Sequence, residues 1–240
     1  MRRLIIAFLG AALFTNCHKE EIPIQPYDRG DMINAEVDLG NAYVNRLFFN
    51  LANASIEGSI EKEDWDIAFS SEENHVILND GRLMSAWKSP FTDLAAANDS
   101  SGFGQGKEVE VAAELLEDPA IDDLEGIYLL DLGFTGFGLP IGMVWLEFKE
   151  VNQTSYTIAF KKYGDSAIEE AIISRETPQG YTYFSFAENE VVTSPPSSSW
   201  DIIFTKYTHQ FEEPPIAYLV TGVILNLNRT VAAEYSEKPF

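Results

Sequence analysis

The sequence predicts an all-β fold of antiparallel strands with an internal repeat and one short helix. Three observations lead to this prediction. Short runs rich in Val, Ile, Phe, Tyr and Thr recur along the chain, clusters of Gly, Asn, Asp and Pro separate them, and one segment occurs twice. Regularly spaced short strands with turn residues between them are typical of antiparallel β proteins.

Ten runs along the chain are predicted to be strands. In the run Ser155–Lys162, Tyr156, Ile158 and Phe160 alternate with smaller or polar residues, which predicts a half-buried strand. The ten predicted strands are Arg46–Leu51, Trp65–Ser70, His75–Leu78, Lys107–Ala112, Gly126–Leu132, Met143–Glu150, Ser155–Lys162, Tyr181–Ala187, Trp200–Tyr207 and Ala217–Leu225.

The repeat comprises Arg46–Phe69 and Tyr181–Phe204, which match at an offset of 135 positions without insertion. Each copy carries an aromatic strand, a connection and then Trp-Asp-Ile-x-Phe, which begins at Trp65 in the first copy and at Trp200 in the second. We expect each Asp to accept hydrogen bonds from turn amides. The aromatic side chains are expected to lie in the core of a pseudo-twofold pair of hairpins.

Three segments depart from the strand pattern. Ser166–Arg175 places Ala and Ile at helical spacing behind a capping residue, which predicts a short helix. Asp93–Gly106 is rich in Ala, Asn, Ser and Gly and is predicted to be a long loop. Leu132–Gly142 combines four glycines with apolar residues, which favours an apolar surface loop and a ligand contact.

The first residues of the chain are typical of an export signal. A positively charged start is followed by an apolar run of eleven residues, Leu4–Phe14, then by Thr15, Asn16 and Cys17, the only cysteine in the sequence. The apolar run is too short to span a bilayer as a helix, which takes about 20 residues. A lone cysteine at this place resembles the lipid-modified cysteine of bacterial lipoproteins, and "LFTNC" is similar to their lipobox.

We therefore predict lipidation of Cys17, because two or more acyl chains anchor a protein stably to a membrane. The alternative is a soluble exported protein that is cleaved near Cys17. Glu20 and Glu21 resemble the sorting signal of surface-exposed lipoproteins, which implies the outer membrane and exposure at the cell surface. The predicted organisation is a signal peptide (1–16), a flexible tether (17–34) and a single β-rich domain (35–240).

Composition and charge exclude several functions. With 38 acidic and 16 basic side chains the net charge is −22, which repels phosphate backbones and excludes nucleic-acid binding. No nucleophile elbow, P-loop, H-E-x-x-H or Cys/His metal motif occurs in the sequence. Its acidic runs are typical of solvated turns. We therefore predict that the protein is not an enzyme.

The aromatic strand, the connection and Trp-Asp-Ile-x-Phe, used twice in an acidic exported chain, resemble the HmuY family of bacterial haem-binding lipoproteins. The segment Tyr218–Glu234, "YLVTGVILNLNRTVAAE", is similar to the closing strand of that family. The resemblance covers the chain from about Val37 to Glu234. It implies an all-β fold, haem or a related tetrapyrrole as the ligand, and an outer-membrane receptor as the partner.

Two histidines each follow one copy of the motif and are the candidate ligands of haem iron. His75 lies ten residues after the Trp of its copy and His209 lies nine residues after the other. His75 aligns with Gln210, and a slip of one residue on a strand turns a side chain to the opposite face. Met84 and Met143 are the reserve ligands, and each is otherwise a core residue.

An alternative function is a non-catalytic surface binding or adhesion module that shares the fold and binds no haem. Such a module would use the loop Phe134–Ile141 to contact a protein or a glycan. A shared apolar cleft between His75 and His209, or between one of them and a methionine, would favour haem binding, whereas positions on opposite faces would favour the module.

Overall fold

The computed structural model describes residues 34–101, 111–112, 120–212, 215–226 and 228–232. The predicted signal peptide, the lipidation site Cys17 and nearly all of the tether lie outside the described residues. Residues Ala35–Phe240 form one compact unit. None of the helical segments in the described ranges has the length and hydropathy needed to cross a membrane.

The described part of the chain is all-β, as predicted, and its helical elements are two 3₁₀ turns, Asn41–Tyr43 and Asp80–Arg82. Its strands are β1 Asn45–Asn50, β2 Ser55–Glu61, β3 Ile67–Ser70, β4 Val76–Leu78, β5 Ser85–Lys88, β6 Val111–Ala112, β7 Ala120–Ile121, β8 Gly126–Asp131, β9 Met143–Val151, β10 Ser155–Lys162, β11 Glu169–Ser174, β12 Tyr181–Ser185, β13 Glu190–Val192, β14 Ile202–Glu212 and β15 Pro215–Leu225. Nine of the ten predicted strands are confirmed. The tenth, Lys107–Ala112, lies mostly outside the described residues, and β6 is its last part.

The strands form three antiparallel sheets. The four-stranded sheet has the order β15-β14-β1-β2, the five-stranded sheet β13-β12-β3-β4-β7, and the six-stranded sheet β11-β10-β9-β8-β5-β6. β3 and β12 of the five-stranded sheet are almost entirely buried on both faces. Ile67 and Phe184 pack against the six-stranded sheet, whereas Ala68 and Tyr183 pack against the four-stranded sheet. The five-stranded sheet is therefore the middle layer, since successive side chains on a strand point to opposite faces.

On the second face of β10, Ser155 and Thr157 are partly exposed, whereas Ala159 and Lys161 are buried. The prediction of a half-buried strand therefore holds for the first half of β10 and was wrong for the second. Trp145 and Ala159 pack under Leu94, which belongs to the predicted long loop. Lys161 Nζ donates to the carbonyl oxygen of Ala95 at 3.3 Å. The alternation of residue types in β10 is real, but a loop distant in sequence covers the face that alternation alone assigns to solvent.

The two copies of the repeat have the same local structure and exchange strands. The first copy forms β1, β2 and β3, and the second forms β12, β13 and β14. β1 pairs with β14, and β12 pairs with β3. Equivalent residues meet in the two pairings, because Phe49 lies opposite Ile202 and Phe184 lies opposite Ile67. The predicted pseudo-twofold arrangement is confirmed, and the Trp-Asp strand of one copy completes the hairpin of the other.

The Asp of each motif bonds to the backbone of the other copy. Asp66 Oδ2 accepts a hydrogen bond from Phe186 N at 2.7 Å, and Asp201 Oδ2 accepts one from Leu51 N at 2.8 Å. Each donor follows the first strand of the opposite copy, so the expectation that these carboxylates bind amides is confirmed. The partners come from the other half of the repeat rather than from a local turn.

A second repeated sequence, which the sequence analysis did not find, follows each motif. It reads "ILNDGR" at Ile77–Arg82 and "ILNLNR" at Ile224–Arg229. In both copies the Asn side-chain amide, of Asn79 or Asn226, donates to two backbone carbonyls at 2.7–2.9 Å. These carbonyls belong to the Trp of the motif and to the residue three positions before it. The repeat therefore extends beyond the two segments that the sequence analysis identified.

The helix expected at Ser166–Arg175 is absent, and β11 occupies this segment. β11 pairs with β10 along its whole length. Ile173 is 1% exposed and faces the core, whereas its neighbour Ile172 is 74% exposed. Adjacent side chains on opposite faces are typical of a strand. The prediction was wrong because pairing with the free edge of β10 satisfies the backbone and overrides helical spacing, as tertiary context often does.

Candidate functional site

An extended hairpin of β14 and β15 breaks the symmetry of the repeat. Asn79 follows Asp66 by 13 positions, whereas the equivalent Asn226 follows Asp201 by 25. The additional residues lengthen β14 and β15, which have 11 residues each. Beyond Phe204, β14 pairs only with β15 in the part of the chain that the structure describes. The repeated sequence accounts for the hairpins that the two copies share. A feature that serves the function is therefore expected where the two copies differ.

One face of this hairpin surrounds a histidine with apolar side chains. We call it the hairpin face, and it consists of three cross-strand pairs: Tyr207 with Val220, His209 with Tyr218, and Phe211 with Ile216. Phe211, Ile216 and Tyr218 are 44–60% exposed. His209 is half-buried, and its ring lies 4.7 Å from that of Phe211. Exposed apolar side chains in a contiguous patch are typical of a binding surface.

The root of the hairpin is held in place by the 3₁₀ turn Asp80–Arg82. Thr208 is buried, and its Oγ1 donates to the carbonyl oxygen of Asp80 at 2.6 Å. A Cβ atom at Gly81 would lie 3.2 Å from the carbonyl oxygen of Lys206, so the turn packs directly on β14. These contacts fix the strand that carries His209.

His75 lies in a different sheet from His209. It directly precedes β4 in the five-stranded sheet, and its Nδ1 is 2.8 Å from Asp122 Oδ1. Its ring lies 6.3 Å from the ring of Tyr181. The contacts described for His209 involve Phe211 and the opposite strand instead. The structure therefore does not bring the two histidines into one site.

The two methionines also lie apart from the hairpin face. Met84 is 1% exposed and belongs to the core between the five- and six-stranded sheets. Met143 begins β9 and packs against the core on the outer face of the six-stranded sheet. It also lines a cavity of about 390 Å³ together with Arg82 and Lys162. Of the four candidate iron ligands, His209 alone belongs to the hairpin face.

Basic side chains cluster at the root of the hairpin. Lys62 is buried. Burial lowers the pKa of Lys62, the charges of Lys206 and Arg82 lower it further, and the charge of Glu63 opposes them. Arg82 is paired with Asp66. An anionic group placed here would therefore relieve an unfavourable concentration of positive charge.

The Gly-rich loop Leu132–Gly142 is an apolar surface loop, as predicted. Gly133 has a φ of +69°, and a side chain there would clash with the carbonyl oxygen of Arg82, so the loop is seated on the same 3₁₀ turn as the hairpin. At its tip Phe137 is 90% exposed and Leu139 is 64% exposed. The loop and the hairpin are thus two apolar elements that pack on one structural turn.

The chain was compared with models of known protein families, with curated proteins and with solved structures. None of them matches. No family is therefore assigned, and the likeness to HmuY proteins remains an expectation based on the motifs of the sequence. The described residues contain no group of three or more His, Cys, Asp and Glu side chains that could hold a metal ion.

Phe211, Tyr218 and Ile216 were not predicted to be site residues. The predicted strands end at Tyr207 and begin again at Ala217, so the outer half of the hairpin was not recognised. The signal was present, because apolar residues alternate on both sides of Glu-Glu-Pro-Pro at positions 212–215. Two alternating runs around turn residues indicate a hairpin.

Proposed function

We propose that this protein is a non-catalytic binding protein that is anchored in the outer membrane through Cys17 and exposed at the cell surface. It captures haem or a related tetrapyrrole and passes it to an outer-membrane receptor. The hairpin face supports this proposal most directly, because it presents a histidine among exposed aromatic side chains. Imidazole is an axial ligand of haem iron, and apolar and aromatic side chains are the usual lining of cofactor sites.

His209 is the proposed axial ligand. The ring of Phe211 lies 4.7 Å away at nearly a right angle to the imidazole, and Tyr218 is its cross-strand partner. A porphyrin bound to His209 would cover both aromatic side chains and remove their exposed apolar area from water. The separation of His75 from His209 favours the module over a haem site with two histidine ligands. The haem proposal therefore rests on the hairpin face alone and assigns one axial ligand from the protein.

A haem titration of the purified chain that begins after Cys17 tests the proposal. We expect a saturable one-to-one shift of the Soret band, with the spectrum of five-coordinate iron in the oxidised and reduced states. His209→Ala should weaken binding by at least tenfold, because it removes the iron ligand. His75→Ala is the matched control and should bind as the wild type does.

Two results would contradict this assignment. Absence of a saturable shift in the wild-type protein would remove haem as the ligand. A six-coordinate spectrum that survives His209→Ala would place the haem elsewhere on the protein.

A second candidate function is a surface binding or adhesion module that has no cofactor. The exposure of Phe137 favours it, because a phenyl ring that is 90% exposed at a loop tip is typical of a contact with a macromolecule. Beads coated with the wild-type protein should then adhere to surfaces coated with mucin, collagen or fibronectin. Phe137→Ser should abolish this adhesion, whereas His209→Ala should leave it unchanged. Equal adhesion of wild-type and Phe137→Ser beads would argue against the loop.

A further inference from the structure

A cavity of about 270 Å³ lies between the four-stranded and five-stranded sheets, separate from the hairpin face. Tyr181 and Tyr183 of β12 and the motif residue Trp200 supply aromatic walls. Ile203 and Ile224 supply aliphatic ones. Aromatic and aliphatic walls with a few polar groups are typical of a small-molecule site.

Two residues that line this cavity each carry a buried hydrogen-bond donor without an acceptor. Arg46 is 5% exposed and Trp200 is 9% exposed. Arg46 Nε and the indole Nε1 of Trp200 are buried, and neither has a hydrogen-bond partner. An unsatisfied buried donor costs about 1–3 kcal/mol. Acceptor atoms of a bound molecule would remove this cost at both positions.

The charge of Arg46 is already balanced within the protein. Its Nη1 lies 2.8 Å from Asp80 Oδ1, and its guanidinium carbon lies 5.4 Å from the centroid of the Trp65 ring. Arg46 also has a side-chain hydrogen bond with Tyr183. A ligand in the cavity therefore meets a neutral ion pair in which Nε is the nitrogen without an acceptor. The cavity therefore favours a ligand with a neutral hydrogen-bond acceptor over an anionic ligand.

The open side of the cavity is lined by hydrogen-bond acceptors rather than by donors. Glu72, Glu73 and Asn228 are exposed and line it. Carboxylates accept hydrogen bonds, so a ligand that satisfies this side must also carry donors. They repel anions as well, in a protein whose net charge is already −22. Hydroxyl groups combine donor and acceptor without charge and fit both sides.

We propose that this cavity binds a neutral, polyhydroxylated ring, the chemistry of a single sugar unit. The apolar face of the ring would stack on the Tyr and Trp walls. Its oxygen atoms would accept from Arg46 Nε and Trp200 Nε1, and its hydroxyl groups would donate to Glu72 and Glu73. The volume lies just below the range of about 300–1,000 Å³ that is usual for drug-sized ligands. It therefore suits one ring and is too small for a tetrapyrrole.

This site is independent of the proposed haem site. The hairpin face lies on the outer half of β14 and β15, whereas the cavity is lined by their inner parts, at Ile203 and Ile224. Failure of haem binding would leave the sugar proposal intact, and the reverse also holds.

Intrinsic tryptophan fluorescence and thermal unfolding of the full mature chain, titrated with glucose, galactose, mannose and N-acetylglucosamine, test the proposal. We expect a saturable response to at least one of these sugars. Trp200→Phe keeps an aromatic wall but removes the indole donor, and should weaken binding about tenfold. Tyr181→Ala should weaken it as well, because it removes one stacking surface. Trp87→Phe is the control and should leave the affinity unchanged, since Trp87 is buried in another core.

Three outcomes would overturn the proposal. The first is that the folded wild-type protein responds to none of the four sugars. The second is that Trp200→Phe binds as tightly as the wild type. Tighter binding of glucuronate than of glucose would contradict the preference for a neutral ligand. If Trp200→Phe does not fold, as judged by its thermal transition, Tyr181→Ala decides the question.

A haem titration of Trp200→Phe that matches the wild type would show that the two sites are separate.

Discussion

The carboxylate of Asp66 lies 2.5 Å from Nη1 of Arg82 in the interior of the protein, with both side chains almost fully buried. The equivalent pair in the second copy, Asp201 and Arg229, is 3.5 Å apart and partly exposed. The repeat therefore uses one polar arrangement in two environments. Because the strength of an ion pair depends on its burial, the two copies should respond differently to the same substitution.

Asp66→Ala should destabilise the protein more than Asp201→Ala. Asp66→Ala leaves the charge of Arg82 buried without its partner, which costs about 3–5 kcal/mol. Asp201→Ala loses a hydrogen bond from Leu51 N and a partly exposed ion pair, which costs about 1–2 kcal/mol. Urea unfolding at neutral pH measures both values, with the exposed Asp165→Ala as the control. Equal losses of unfolding free energy in the two variants would show that the difference in burial does not make the two ion pairs unequal in strength.

Asn79→Ala and Asn226→Ala should each lower stability by about 2–3 kcal/mol. Each substitution removes an amide that donates to two backbone carbonyls, and these carbonyls are then left without that donor. Asn79→Asp is the informative control, because it keeps the size of the side chain but not its donors. It should be at least as unstable as Asn79→Ala in thermal unfolding. A stable Asn79→Asp variant would show that the donors are unimportant.

The hydroxyl group of Tyr156 should make stability depend on alkaline pH. The single hydroxyl proton is shared between the carbonyl oxygens of Ser70 and Glu73, which lie 2.7 and 2.6 Å from the phenolic oxygen. Burial raises the pKa of Tyr156 above its ordinary value, although the nearby charge of Arg175 opposes this. The folded chain therefore holds the phenolic proton more tightly than the unfolded chain does. This stabilisation is complete below pH 10.0, the ordinary value, and is lost as the pH rises through the folded pKa.

Tyr156→Phe isolates this effect, because the other tyrosines titrate equally in both proteins. The variant should be about 1–2 kcal/mol less stable than the wild type at neutral pH, since the one donor that two carbonyls share is lost. The difference should shrink above pH 10.0. Urea unfolding across that range measures it, and a difference that stays constant with pH would contradict the raised pKa.

Substitutions in β11 distinguish a strand from the helix that the sequence favours. Ile173→Ala should cost about 2–4 kcal/mol because the side chain is buried. Ile172→Ala should cost less than about 0.5 kcal/mol, as is usual for an exposed site. A helix that buries Ile168 and Ile172 would give the reverse order. The two values, measured by urea unfolding, therefore test the strand directly.

The strand content and the repeat were predictable because both depend on local residue patterns. Alternation of apolar residues and clusters of turn residues located nine strands that the structure confirms. Even "ILNDGR" and "ILNLNR" could have been found in the sequence, but their spacing from the Trp-Asp motif differs by twelve positions. A search at the single offset of 135 positions misses such a pair.

The candidate site was much less predictable than the fold. His75 and His209 follow the same motif at nearly the same distance, and this similarity suggested a shared site. The structure places them in different sheets, because the strand after each Trp joins the hairpin of the other copy. Spacing along the chain does not determine which sheet a strand enters.

The sequence by itself determined that this chain forms antiparallel strands, that it contains two equivalent halves, and that it bears a strong negative charge. Tertiary structure alone decided that β11 is a strand, that the second half of β10 is buried on both faces, and that His209 stands apart from His75. The physical reason is that residue alternation fixes which side chains share a face. What covers that face, and which strand satisfies the backbone, depends on contacts between residues far apart in the chain.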